Sequence, residues 1–119
     1  MGNMEIRVSK AEGKVPVSVI HVTGDVAAEN CGILDARAGD VLHEGSRHII
    51  VDLTECKYMS SAGFRVLHKI YNALHDDKDD TAQLRLVKPP DEVSRILKVM
   101  GFDVVMEIHD DLASAVAAF

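Results

Sequence analysis

Two adjacent hydroxyls, Ser60 and Ser61, precede Ala62 and Gly63 where a β-branched apolar run gives way to helical spacing. Ile49, Ile50 and Val51 read as a buried strand, and Val66, Leu67, Ile70, Tyr71 and Leu74 recur at the spacing of one helix face. The serines therefore fall at or beside the N-cap of that helix. An N-cap serine accepts a first-turn backbone N–H, and the aligned peptide dipoles favour negative charge at that end. The chemistry this suits is acceptance of a phosphoryl group. Its charge of roughly −1.5 to −2 would sit where the helix tolerates it and would alter a docking surface without melting the fold. The competing account is a plain structural cap, since serine is a preferred residue there.

Other reactive residues fit other chemistries poorly. Cys31 and Cys56 stand alone, without the spacing of a metal knuckle or redox dithiol, and read as small buried hydrophobes. The six histidines are scattered. His68 and His75 share a helix but lack the i, i+4 spacing of a metal pair, so the histidines read as solvated surface residues. The acidic run at 76–80 lacks the glycine and final glutamate of a calcium loop and reads as a polar turn. A hydrolase elbow on Ser61 would need glycine at Met59 and a matching acid and histidine. A response-regulator receiver would use Asp52, but only one carboxylate, Asp25, ends the preceding strand and no lysine follows the last one. Asp52 is expected to begin a turn. With no glycine-rich phosphate cradle either, the reading is a non-enzymatic domain with no cofactor and no metal.

The whole chain sets the frame. At 119 residues it is read as one domain over 1–119, large enough to bury a core. Hydrophobic residues make up 47% and charged residues 27%, and no apolar run approaches the roughly 18 residues of a membrane span. The first ten residues carry no signal-peptide core, so a cytoplasmic location is expected. A net charge of −6 argues against nucleic acid, which selects clustered Lys and Arg. Partners are expected to be proteins or small molecules.

The elements that must position the serines follow from periodicity and punctuation. Alternation at 5–9 and 15–22 around Gly13-Lys14 predicts an opening hairpin whose second strand ends at Gly24-Asp25. A helix over 27–42 places Cys31, Leu34, Ala38, Val41 and Leu42 on one face and stops at Gly45, with Gly32 and Gly39 read as permitting close packing on the sheet. A strand at 48–52, the serine turn and a helix at 61–74 come next. A strand at 83–87, a break at Pro89-Pro90, a helix at 91–100 ended by Gly101 and a strand at 102–108 complete the series. Asp110 is expected to cap a last helix with Leu112, Val116 and Phe119 inside. The order β-β-α-β-α-β-α-β-α predicts an α/β fold: a mixed, mostly parallel sheet of about five strands with crossover helices. In such sheets working residues gather beyond the carboxyl ends of strands, where Asp25, Cys56 and the serines are placed.

The segment from Ile49 to Leu67, with Cys56-Lys57-Tyr58-Met59-Ser60-Ser61-Ala62-Gly63-Phe64-Arg65 at its centre, resembles the signature of STAS domains in their stand-alone anti-sigma-antagonist branch. Val22-Thr23-Gly24-Asp25, the stretch from Ile96 to Phe102 and the short last helix fit the same order. The resemblance implies a STAS-like fold and a switch protein that binds an anti-sigma factor, usually also a serine kinase, and so frees a sigma factor until phosphorylation turns it off. A phosphatase would reset it. The family's modified serine lies two residues before the glycine, which is Ser61 before Gly63, with Ser60 as alternate and in place of the usual aspartate. Ala27 stands where the family often has an acidic residue. The implied docking patch is flat and contains Asp25, Met59, Ser60, Ser61, Phe64 and Arg65. The alternative is a STAS subunit of a signalling or lipid-transport assembly, or a ligand-binding module, without a phospho-switch.

Overall fold

Alternating apolar residues close the hairpin first: β1 (Met4–Glu12) pairs antiparallel with β2 (Pro16–Val26), Val8 opposite Ile20 and Ser9 opposite Val19. β2 pairs in parallel with β3 (His48–Met59), β3 with β4 (Gln83–Val87) and β4 with β5 (Glu107–His109). Sheet order therefore follows chain order. Helices α1 (Cys31–His43), α2 (Ser61–His75) and α3 (Asp91–Val99) fill the crossovers, and α4 (Leu112–Ala117) closes the chain. This is the expected order of elements with one 3-10 helix, Phe102–Val104, added. The computed structural model describes residues 4–75 and 83–119, so the polar turn expected at 76–80 lies outside the described residues.

The central strands bury both faces because successive side chains point to opposite sides. Ile20, Val22, Ile49, Val51 and Leu53 share a core with Leu34, Ala38 and Val41 of α1 and with Leu67, Ile70 and Leu74 of α2. Val17, Val19 and Ile50 form a second cluster with Ala115 of α4, flanked by Leu112, Val116 and Phe119.

Several boundaries depart from expectation. β2 passes Gly24-Asp25 and reaches Val26, because Gly24 takes φ 95° at a shift in the β2–β3 register and the strand absorbs the irregularity. β3 likewise passes Asp52, which begins no turn, and pairs Tyr58 with Asp25 and Met59 with Val26. α1 starts at Cys31 rather than 27. The buried Asn30 ties a turn ahead of it, accepting from Ala27 N at 2.8 Å and donating to Asp25 O at 3.0 Å. Gly32 and Gly39 are exposed, and a Cβ at either would meet nothing within 4 Å, so they do not serve sheet packing. The strand expected at 102–108 divides into the 3-10 helix and a three-residue β5. α4 is capped by Asp111, not Asp110: its carboxylate accepts Ser114 N at 2.7 Å, which holds the acid below the usual carboxylate range.

Several histidines are built in rather than solvated. His21 Nδ1 lies 3.0 Å from Asp52 Oδ2, and the His48 ring meets Phe119 edge-on at 5.2 Å. His109 Nε2 sits 3.1 Å from Arg85. Arg85 is itself buried: it donates to Gln83 Oε1 and Ala118 O, pairs with Glu107 and lies over the Phe119 ring, tying the C-terminus to the sheet. Burial, then the positive field of Arg85, holds the His109 pKa below its ordinary value. The unfolded chain therefore binds more protons just below the ordinary pKa of about 6.5, and stability falls as pH drops through that value. Urea unfolding between pH 7.5 and 5 should show a smaller pH slope for His109→Gln than for wild type; equal slopes would remove His109 from this account.

Candidate functional site

The turn from β3 into α2 hangs from the end of β2, where Ser60 N donates to Val26 O at 2.8 Å. Ser60 O then accepts Gly63 N at 2.9 Å and Phe64 N at 3.2 Å, which starts α2. Ser61 is the first residue of the helix and is exposed. Ser60 differs: its Oγ is shielded from solvent and has no hydrogen-bond partner. Ser60 therefore forms no side-chain cap, and its backbone alone begins the helix. Losing a real cap costs about 1 kcal/mol, whereas deleting an unsatisfied buried hydroxyl is neutral or stabilising. Ser60→Ala is accordingly expected to melt at or above the wild-type temperature. A fall of cap size, several degrees, would contradict this geometry.

Gly63 is required by close approach. A Cβ there would stand 2.5 Å from Met59 Cγ and 2.9 Å from Val26 Cγ1. The first turn of α2 thus rests directly on the ends of β2 and β3, which fixes where Ser61 is held.

The flat patch expected around Ser61 is instead a cavity of about 580 Å³. Lys57, Tyr58, Met59 and Ser60 line it from β3 and the turn, and Ser61, Phe64, Arg65 and His68 from one stripe of α2. The far wall is Val93, Ile96 and Met100 on α3 and its end, with Phe102 beyond. Met59 and Phe64 are only 3% and 5% exposed, so they form its apolar floor rather than surface anchors. Arg65 is exposed. Asp25 sits across the ladder from Tyr58 and does not line the cavity. Its charge adds to burial in pushing the neighbouring Cys56 thiol upward, which keeps that sulfur protonated and suits the buried structural role expected for it.

The α3 wall was not read from the sequence as part of the site. Its signal was present in Val93, Ile96 and Met100 on one helical stripe, and in Met100 and Tyr58 remaining half exposed. Elsewhere the sheet assembles a hydrogen-bonded relay that spacing did not reveal. Ser9 Oγ lies 2.8 Å from His21 Nε2, and His21 Nδ1 lies 3.0 Å from Asp52, which also accepts from Thr54 N and Oγ1. With its proton on Nδ1, the neutral ring donates to the carboxylate and accepts the serine O–H at Nε2. The relay lies outside the cavity beside Ser61 and joins three neighbouring strands. Among the described residues no helix is long and apolar enough to cross a membrane, and no cluster of three or more His, Cys, Asp or Glu could hold a metal.

A mixed five-stranded sheet in chain order, four helices and a serine at the exposed start of α2 define the class: a small α/β domain of the SpoIIAA-like fold. The STAS domain family model matches residues 9–115, and the chain belongs to that family. A curated relative is BtrV of Bordetella bronchiseptica, provisionally named an anti-sigma factor antagonist. It is 26% identical over 116 residues, covering 98% of this chain and 95% of BtrV. The crystal structure of an anti-sigma factor antagonist from Mycobacterium paratuberculosis superposes with a TM-score of 0.85 at 21% identity, covering 98% of this chain and 93% of that one. The phosphorylated form of the Bacillus cell fate determinant SpoIIAA gives 0.75 at 14% identity, covering 96% and 98%.

Proposed function

We propose that this chain is an anti-sigma factor antagonist that binds an anti-sigma factor with serine kinase activity and is released from it when Ser61 is phosphorylated. It is a binding protein, not an enzyme, and supplies only the acceptor hydroxyl; the kinase brings ATP and Mg²⁺, and a phosphatase resets the switch. The observation that carries this reading is the contrast between neighbours: Ser61 is exposed at the first position of a 15-residue helix, while Ser60 Oγ is sealed from solvent. The helix start favours the added negative charge, and Arg65 on the next turn is exposed for contact with a partner. Support also comes from BtrV's name and from the solved structures of SpoIIAA, which include unphosphorylated and phosphorylated forms. Acting through binding alone, the protein would regulate transcription in the cytoplasm by partner switching.

The test mixes the purified chain with its cognate anti-sigma kinase and ATP and reads intact mass. One phosphate on wild type, none on Ser61→Ala and one on Ser60→Ala is the expected pattern. Transfer that survives Ser61→Ala but is lost in Ser60→Ala would move the acceptor to Ser60. Absence of both binding and transfer would leave a STAS module without a phospho-switch.

A further inference from the structure

The cavity beside Ser61 is larger than docking of a serine hydroxyl requires. Its volume of about 580 Å³ lies within the roughly 300–1,000 Å³ range of small-molecule sites. Its floor and far wall are apolar: Phe64 and Met59 below, Val93 and Ile96 opposite, Phe102 at one end. Tyr58 and Met100 are each about half exposed, leaving an unpartnered apolar rim. The charges among the lining residues are Lys57 and Arg65 against the single carboxylate of Glu92. A cationic excess is local in a chain whose formal charge is −6, so it marks this concavity off from the acidic whole.

We propose that this cavity binds a single-chain amphiphile with an anionic head, of the fatty-acid class, with its chain between α2 and α3 and its carboxylate toward Lys57 and Arg65. A neutral apolar molecule would leave the cations without counter-charge, and a compact polar anion would leave the floor unfilled. The occupant that satisfies both is one with a tail and a single negative end. Resting on the reading of Ser61 as phosphoacceptor, the inference adds a regulation: a phosphate on Ser61 enters the field of the same cations, so ligand and phosphate exclude one another. Occupied protein would be a poorer kinase substrate, and phosphorylated protein a poorer ligand binder.

The full chain is titrated with decanoate below its aggregation concentration, by calorimetry and by amide and methyl NMR. Saturable one-to-one binding is expected, with shifts confined to Tyr58, Phe64, Val93, Ile96 and Phe102. Lys57→Gln and Arg65→Gln should each weaken binding by about tenfold, the equivalent of about 1.4 kcal/mol for a lost charge-assisted hydrogen bond. Met100→Glu, an exposed position, should weaken it while leaving the melting temperature unchanged. Decanol binding as tightly as decanoate, shifts spread over the surface, or no saturation overturns the ligand assignment. Ser61→Asp should weaken decanoate; unchanged affinity in that variant overturns the mutual exclusion. The decanoate measurements use no protein partner and kinase binding is read separately, so loss of kinase binding in Ser61→Asp with no effect on decanoate keeps the phospho-switch and discards only the competition.

Discussion

Phosphate on Ser61, or Ser61→Glu in its place, is expected to cut affinity for the anti-sigma kinase by about a hundredfold while leaving the domain's own stability unchanged or slightly raised. The two halves of this result come from opposite signs of one field. Within the domain, the new charge sits at the positive end of α2, where an anion is worth about 0.3–1 kcal/mol in favour of folding. Across the proposed interface, the same charge would meet the nucleotide phosphates already held by the kinase and the acidic groups beside them. Like-charge juxtaposition there costs several kcal/mol, and about 2.7 kcal/mol is a hundredfold. Ser61 is exposed, so the charge reaches the partner without rearranging the core. Calorimetric titration paired with thermal melts separates the two effects, and Ser61→Ala should bind like wild type. A weakened complex accompanied by an equally weakened fold would mean that the charge acts by unfolding α2, and the switch as described would be wrong.

Gly63→Ala should destabilise the domain even though the substitution improves helix propensity. Alanine gains about 1 kcal/mol over glycine in a helix interior. Against that, the new methyl arrives 2.5 Å from Met59 Cγ and 2.9 Å from Val26 Cγ1, both in residues that are almost fully buried. Overpacking of this kind costs about 1–3 kcal/mol, and the branched valine lacks the freedom to retreat that methionine has. The balance is a net loss of up to about 2 kcal/mol, read as a melting temperature lower by several degrees. A second consequence is positional: α2 must lift off the strands, carrying Ser61 with it, so phosphorylation should slow as well. Met59→Ala in the same chain should recover part of the clash, a coupling that a double-mutant cycle isolates. A Gly63→Ala variant as stable as wild type and phosphorylated at the same rate would show that the first turn has slack the packing does not suggest.

How far the sequence reached depends on where the determining contacts lie. β4 is five residues of alternation and apolar burial between clear breaks, and the expected 83–87 is the observed strand. α2 was legible for the same local reason: six of its residues are buried, at helical spacing, and its start is marked by the serines. β3 was cut short at Asp52 because Thr54, Glu55 and Lys57 look like loop. They stay extended because β2, bulged at Gly24, offers a partner edge that only the folded sheet supplies. At 102–108 the local pattern misleads in the opposite direction. Phe102, Val104 and Val105 look like a buried strand, yet Val104 is 82% exposed and its segment turns as a 3-10 helix after Gly101. The serines could be placed by punctuation, but the cavity could not. Its two walls are α2 and α3, separated by an entire strand, and no local pattern states that Phe64 and Ile96 will line one space. The buried Oγ of Ser60 was equally hidden, because adjacent serines look alike until packing separates them.

Because the sheet is assembled in the order β1-β2-β3-β4-β5, no strand has to be inserted between two that are already joined. As the polypeptide leaves the ribosome at about 5–20 residues per second, the opening hairpin can form and each later strand can dock on the last exposed edge. The serine turn follows the third strand and is therefore in place before the two strands that finish the sheet. A nascent chain stalled after α2 would already display the hydroxyl on which regulation is proposed to act, ahead of the wall that completes the cavity.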